Sequence, residues 1–337
     1  MSSPDVLPTA IYSISAFSLV NNVILLIVYY HCPLQKIKSY RYFFLFSALQ
    51  DITFSVSFLL LIPRIISQDG FFTMIATGLL ANRPTGVVLI AIYAVSFFVT
   101  TLVVTNSFIY RYLHLCRSQL LEKYSTREIM LLGFFVNTSV LIVYCVACYE
   151  VAFPDENVDR LIRNTISVSE VDMNNTALIG LSKMSSMDTV DLVLSVSLVL
   201  IFIITSGINI FCAKAIAAFL KSAALRSSSL TLQRQMFILL LLQAGCPILF
   251  VQMPFCFSAI FFFTSINSSP LITNLIDILM ALLPLVNPVI ILAFLGDYRN
   301  FVLTKLRLKK YLQGANVATR SIIVNNQNAV PTARASS

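Results

Sequence analysis

The chain has 337 residues, of which 58% are hydrophobic and 11% charged; its mean hydropathy is +0.85 and its formal net charge +8. A soluble domain carries roughly 25% charged residues, so this composition excludes an ordinary water-soluble fold and points to a chain whose solvent is mostly lipid. The positive charge sits in short segments between apolar stretches, which is an orientation signal and excludes a nucleic-acid-binding reading.

Stretches free of Lys, Arg, Asp and Glu mark the expected spans. Residues 6–35 carry no such charge, and the apolar part, about 11–30, forms the first span, with Asn21 and Asn22 near its middle. The second, 42–63, contains one acid, Asp51. The third, 84–110, holds Tyr93 and Phe97 one helical turn apart and ends at Arg111. The fourth, 129–149, and the fifth, 192–213, are charge-free. Residues 235–276 are charge-free over a length that fits more than one crossing, and Asn267-Ser268-Ser269-Pro270 is a turn signal within them. The sixth span therefore holds Gln252, flanked by Pro247 and Pro254, and the seventh, about 271–295, holds Asp277 and Asn287-Pro288. Each span approaches or exceeds the ~20 residues that cross a ~30 Å hydrocarbon core. The expected fold is an all-α seven-transmembrane bundle: a short N-terminus over 1–10, the bundle over 11–295, an amphipathic surface helix over 296–312 and a disordered tail over 313–337. Residues 1–10 lack a basic n-region, so no cleavable leader is expected and the first span directs insertion.

With the N-terminus outside, the inner loops and the tail hold 18 of the 23 Lys and Arg residues, a strong positive-inside bias. The basic face then meets anionic lipid and cytosolic partners. The long loop 150–191 is rich in Asp and Glu and falls outside. It carries the sequon Asn174-Asn175-Thr176, so Asn174 is the expected glycosylation site. Asn267-Ser268-Ser269 is a second sequon, close to the membrane, and Asn137-Thr138-Ser139 lies inside the fourth span, where it is expected to be inert. The seven Cys are expected to be small packing residues, not a disulfide framework.

Ionisable and amide groups inside lipid are costly and therefore informative. Asp51, Asn287 and the pair Asn21 and Asn22 share one depth, roughly 15 Å from the inner end at 1.5 Å per residue. Pro288 cannot donate a backbone hydrogen bond to residue 284, itself a proline, so a freed carbonyl needs a polar partner. Asn287 and Asp51 are the expected suppliers, and the expected layer of Asn21, Asn22, Asp51, Asn287 and Pro288 is either a switch that repacks or a static interhelical hydrogen bond. Asp277 lies about 15 Å nearer the outside, where it either pairs with Arg64 or lines a ligand cavity. Clustered aromatics and polar groups in the outer half, with Tyr93, Phe97, Gln252 and Asp277 as candidate ligand contacts, favour an apolar pocket there. Arg111 is either an interfacial arginine that snorkels to the headgroups or a functional group. The two histidines, His31 and His114, flank spans, and no HExxH, P-loop or GxSxG pattern is present, so no enzyme, metal or cofactor is expected.

An Arg at the inner end of span three, an Asp in span two and Asn-Pro in span seven resemble the rhodopsin-type receptor plan. The segments KSYRYFFLFSALQDI (38–52), IPRIISQDG (62–70), FIYRYLHLCR (108–117), FPDENVD (153–159), LQRQMFILLLLQAGCP (232–247) and LVNPVIILAFLGDYRN (285–300) resemble more closely the nematode serpentine chemoreceptors of the Str superfamily, nearest to its Srd subfamily, over roughly residues 10–300. The resemblance implies a chemosensory receptor that binds a small environmental chemical and activates a heterotrimeric G protein, through Arg111, Arg226 and Arg234, in a plasma or sensory-cilium membrane. The rival is a transporter or channel for a small solute, although two isolated acids at different depths make a poor polar path. Where the rhodopsin plan has Asp-Arg-Tyr this chain has Tyr110-Arg111-Tyr112, and where it has a tyrosine in span seven Ile291 stands here. There is no Trp for a span-six switch, and no Cys near Arg83-Pro84 for the disulfide to the outer loop.

Overall fold

The structure, a computed structural model, describes residues 6–31, 41–124, 126–153, 156–166, 172–182, 189–223, 230–264 and 266–305. Among these residues seven helical segments are long and apolar enough to cross a membrane. The spans are formed by α1 (Val6–His31), α2 (Arg41–Leu61), α3 (Thr85–Cys116), α5 (Thr126–Ala152), α7 (Thr189–Ala223), the broken helix α8 (Leu230–Pro247) with α9 (Met253–Thr264), and α10 (Pro270–Phe294). Two short helices lie between spans, α4 (Ser118–Lys123) and α6 (Glu156–Thr165), and α11 (Gly296–Lys305) follows the last span. The part of the expected surface helix and tail from 306 onward lies outside the described residues.

Backbone groups in lipid must be paired within the segment, which is why the spans are helical. Helix α1 packs between α2 and α10, and α3 packs against α2 and α7. Helix α5 lies at the margin against α7, with Leu131, Leu132, Phe134, Phe135, Ile142 and Val143 exposed. A hydrocarbon solvent tolerates such exposure, and helix association there rests on close packing and interhelical hydrogen bonds.

Span six breaks at its prolines. Pro247 and Pro254 each withdraw a donor from the helical ladder, and between them Ile248–Gln252 winds as a π-helix. Such bulges accommodate a register shift without leaving the helix.

One end of the bundle carries a small sheet that the seven-helix reading did not anticipate. Strands β1 (Pro63–Gln68) and β2 (Phe71–Ala76) form an antiparallel hairpin, and β3 (Leu178–Ser182) adds to β2 in the order β1-β2-β3. The turn is Asp69-Gly70, with φ of +51° and +77°, the two positive values that a tight two-residue hairpin requires. Phe71, Ile75, Leu178, Ile162 and Ile166 form a core between sheet and α6. At the opposite end α11 turns Tyr298 into a cluster with Leu25, Val28, Phe44 and Leu295, so the start of the expected amphipathic face is buried against α1 and α2.

Candidate functional site

Equal depth on different helices becomes contact only if the side chains share a face. Asp51 on α2 and Asn287 on α10 do: Asn287 Nδ2 donates to Asp51 Oδ2 at 2.6 Å and to Ser47 Oγ at 2.8 Å. Both residues are buried. Gln243 of α8 donates to Asn287 Oδ1 at 3.4 Å, bringing a third span element to the layer. A cavity opens beside this contact between α2, α3, α8 and α10, lined by Ser47, Gln50, Asp51, Thr100, Gln243 and Asn287 among others, with Pro247 on its wall.

Asn22 joins the layer differently. Its Nδ2 donates to the Pro284 carbonyl at 2.9 Å and to the Ser18 carbonyl at 3.0 Å, while Ser18 and Ser55 share a hydroxyl contact of 2.7 Å. The carbonyl released by Pro288 is therefore satisfied by Asn22, not by Asn287 or Asp51 as the sequence suggested. The reason is rotational: Asn287 stands one residue before Pro288 and faces α2, whereas the Pro284 carbonyl faces α1. Asn21, next along α1, is half-buried and points away from the fully buried Asn22.

The four expected ligand contacts have different nearest partners. Tyr93 is buried against Phe54 and Phe58, with its hydroxyl 3.9 Å from the Met280 sulfur. Phe97 faces α7, with ring centroids 5.6 Å apart at Phe202. Gln252 is half-buried within the π segment. Asp277 is fully buried beneath the sheet, 3.7 Å from Arg64 Nε and 3.5 Å from the Ile65 backbone N–H. Arg64 also donates to Asn274 Oδ1 at 2.6 Å. Of the two alternatives for Asp277, the Arg64 pair is the one present.

At the end opposite the sheet, Arg111 is 1% exposed, and its Nη2 donates to the backbone carbonyl of Gln233 at 2.5 Å. That bond ties the end of α3 to the start of α8. Arg234, next along α8, is exposed, and Arg226 lies outside the described residues. Asn174 is exposed in a turn on the sheet side.

Three polar contacts escaped the sequence reading. Asn106 of α3 and Asn137 of α5 exchange side-chain hydrogen bonds of 2.8 and 3.1 Å; Asn137 is the residue whose sequon was expected to be inert. Ser18 stands one turn before Asn22, and Gln243 and Gln233 lie on α8. Except for Gln233, at the end of its span beside Arg234, the signal was a polar residue at depth in an otherwise apolar span.

Around the sheet, Asp159 of α6 pairs with Arg163 at 2.8 Å and with Arg83 at 2.7 Å. Partial burial pushes the Asp159 carboxyl up, but the two guanidinium groups outweigh it and hold the carboxyl below the usual carboxylate range. Arg163 also donates to the Thr176 carbonyl at 2.9 Å, tying α6 to the lead-in of β3.

Among the described residues no group of His, Cys, Asp and Glu could hold a metal ion. The Asp51–Asn287 contact and the Asn22–Pro284 bond lie in one layer of the seven-span bundle, and Arg111 is bonded to Gln233 at the end of α3. No curated protein matches the chain significantly. The family model described as serpentine type 7TM GPCR chemoreceptor Str matches residues 9–303. The chain belongs to the Str family of serpentine seven-transmembrane chemoreceptors of the G-protein-coupled receptor class.

Proposed function

We propose that the chain is a chemosensory receptor, with its N-terminus and the sheet end outside, that binds an environmental small molecule in the outer half of the bundle and activates a heterotrimeric G protein. Within the family we assign it to the nematode, Srd-type receptors, in a plasma or ciliary membrane. Family membership supports receptor chemistry over catalysis, and the 18-to-5 split of basic residues supports the orientation.

The observation that carries the reading is the Asp51–Asn287 contact beside the cavity at Gln243 and Pro247. A polar, cavity-lined contact next to a π segment and two prolines has more than one way to pack, which a switch needs. Ligand engagement near Tyr93, Phe97, Gln252 and Asp277 biases α9 and α10 from above. Arg111 and the basic α7–α8 side, with Arg226 and Arg234, face the partner below.

The test is a second-messenger and calcium assay on cells expressing the receptor, challenged with a chemical panel, with Arg111→Ala alongside. Wild type responds to at least one chemical, and the response disappears in cells lacking the G protein. Arg111→Ala at matched surface density loses the response but retains ligand binding, with some affinity loss because the linkage is reciprocal. A chemical-evoked current that persists without the G protein would establish the channel reading instead.

A further inference from the structure

The β1–β2 hairpin leaves the bundle through one strained residue, keeps β2 paired with β3, and is held to α10 and the α9–α10 connection by side-chain and backbone bonds. Ile62, between α2 and β1, is buried with φ +38°, a left-handed conformation that a β-branched residue adopts only under constraint. Its carbonyl accepts from the Thr77 backbone N–H and hydroxyl, at 3.2 and 2.9 Å, so the chain leaves α2 and returns from β2 at one point.

The far tip is joined to the α9–α10 connection by a reciprocal polar ladder. The Asp69 N–H donates to Asn267 Oδ1 at 2.9 Å, and Asn267 Nδ2 donates back to Asp69 Oδ1 at 3.0 Å. The Ser67 N–H donates to Ser268 Oγ at 3.2 Å, and the Ser268 N–H donates to the Ser67 carbonyl at 2.8 Å. Asp69 and Asn267 are exposed, so water competes for the bonds between them, whereas Ser67 is buried. The described cysteines are all free, and none lies in the hairpin or the α9–α10 connection. Beneath the hairpin, Tyr93, Ile276 and Met280 are each at most 5% exposed, and Ile65 of β1 packs in the same cluster. The hairpin covers that interior on the sheet side of the bundle.

We infer that the β1–β2 hairpin is a hinged lid over the sheet end of the bundle, clasped by Asp69–Asn267 and Ser67–Ser268, and that its opening admits the small apolar ligand. The inference rests on the chemosensory reading above for its purpose, but the lid itself is a mechanical property. Strain at Ile62 favours opening; the clasp opposes it together with the bonds of Arg64 and Ile65 to Asn274 and Asp277, while β2 stays paired with β3 on the hinge side. Because the clasp lands between α9 and α10, and Phe72 rests on Phe255 and Phe262 of α9, lid movement is felt by the helices that carry the π segment and Asn287.

The test uses the purified full-length receptor carrying Ile276→Cys, with Cys256→Ser to remove the exposed thiol, and a water-soluble maleimide; labelling at position 276 is followed by mass spectrometry. Asp69→Ala, which removes the acceptor for Asn267 Nδ2 and so weakens the clasp at its exposed end while leaving the Asn267 sequon intact, should raise the labelling rate at least threefold. Asp69→Asn, which keeps an acceptor for Asn267, should label like the parent. A disulfide between Asp69→Cys and Asn267→Cys should slow labelling at least tenfold, with recovery on reduction. Parent-rate labelling in Asp69→Ala, fast labelling through the closed disulfide, or no labelling in any variant overturns the lid and points to entry from the lipid side. No ligand or G protein enters the assay, so a receptor that answers chemicals while its labelling ignores the clasp keeps its function and loses the lid.

Discussion

At the residue scale, two amides in one membrane layer do different work. Asn22 covers the Pro284 carbonyl, so Asn22→Leu should leave a buried acceptor unpaired and cost about 1–3 kcal/mol of stability, read as a lower melting temperature of the purified receptor. Asn287 instead holds Asp51. The substitutions Asp51→Ala and Asn287→Ala should therefore couple by about 0.5 kcal/mol or more in a double-mutant cycle, scored on stability or signalling. Full additivity would show that the contact carries no energy. Asn22 and Asp51 share no direct bond, so their cycle should lie nearer additivity than the first.

At the element scale, the sheet and α6 are held by ion pairs outside the spans, which makes them sensitive to acid. Asp159 has its carboxyl held below the usual range by Arg163 and Arg83 after burial has pushed it the other way. A depressed folded value means the contribution is complete above the unfolded carboxylate pKa of about 3.9 and is lost as pH falls through the lower folded value. Asp159→Asn should thus destabilise the sheet end at neutral pH and flatten the fall in melting temperature below about pH 4; an unchanged acid profile would remove Asp159 from that role. The spans were legible because hydropathy and charge-free length report lipid directly, and the split near Asn267 falls between α9 and α10. The hairpin was not read, although Asp69-Gly70 between apolar runs is the local signal for one. Its strands, PRIISQ and FFTMIA, are apolar enough to be absorbed into the neighbouring span when only hydropathy is followed. Depth was also legible in the polar layer, whereas rotation about each helix axis was not. That is why Asn22, and not Asn287, proved to be the partner of the freed carbonyl.

At the scale of the whole molecule, charge segregation sets a test that needs no ligand. With the N-terminus outside, Asn174 should carry glycan and lose it in Asn174→Gln, read as an electrophoretic shift on glycosidase treatment. An epitope at the C-terminus should be stained only after permeabilisation. Staining of that epitope on intact cells would invert the orientation and put the basic ends outside. The same orientation places the sheet towards the environment and Arg111 towards the cytosol, at opposite ends of α3. Any signal must then travel the length of the bundle, past the Asp51–Asn287 contact, by a shift between whole-bundle states.

The bond from Asn22 to the Pro284 carbonyl also constrains how relatives of this chain can drift. The amide is required only because position 288 has no N–H to give. A chain with alanine at 288 regains a backbone donor for that carbonyl, and position 22 is then released to become leucine or valine. The two sites, 266 positions apart in sequence, should vary together across the family: proline with asparagine, or neither. An apolar residue at 22 opposite a retained proline should be rare, and Pro288→Ala should restore part of the stability that Asn22→Leu removes.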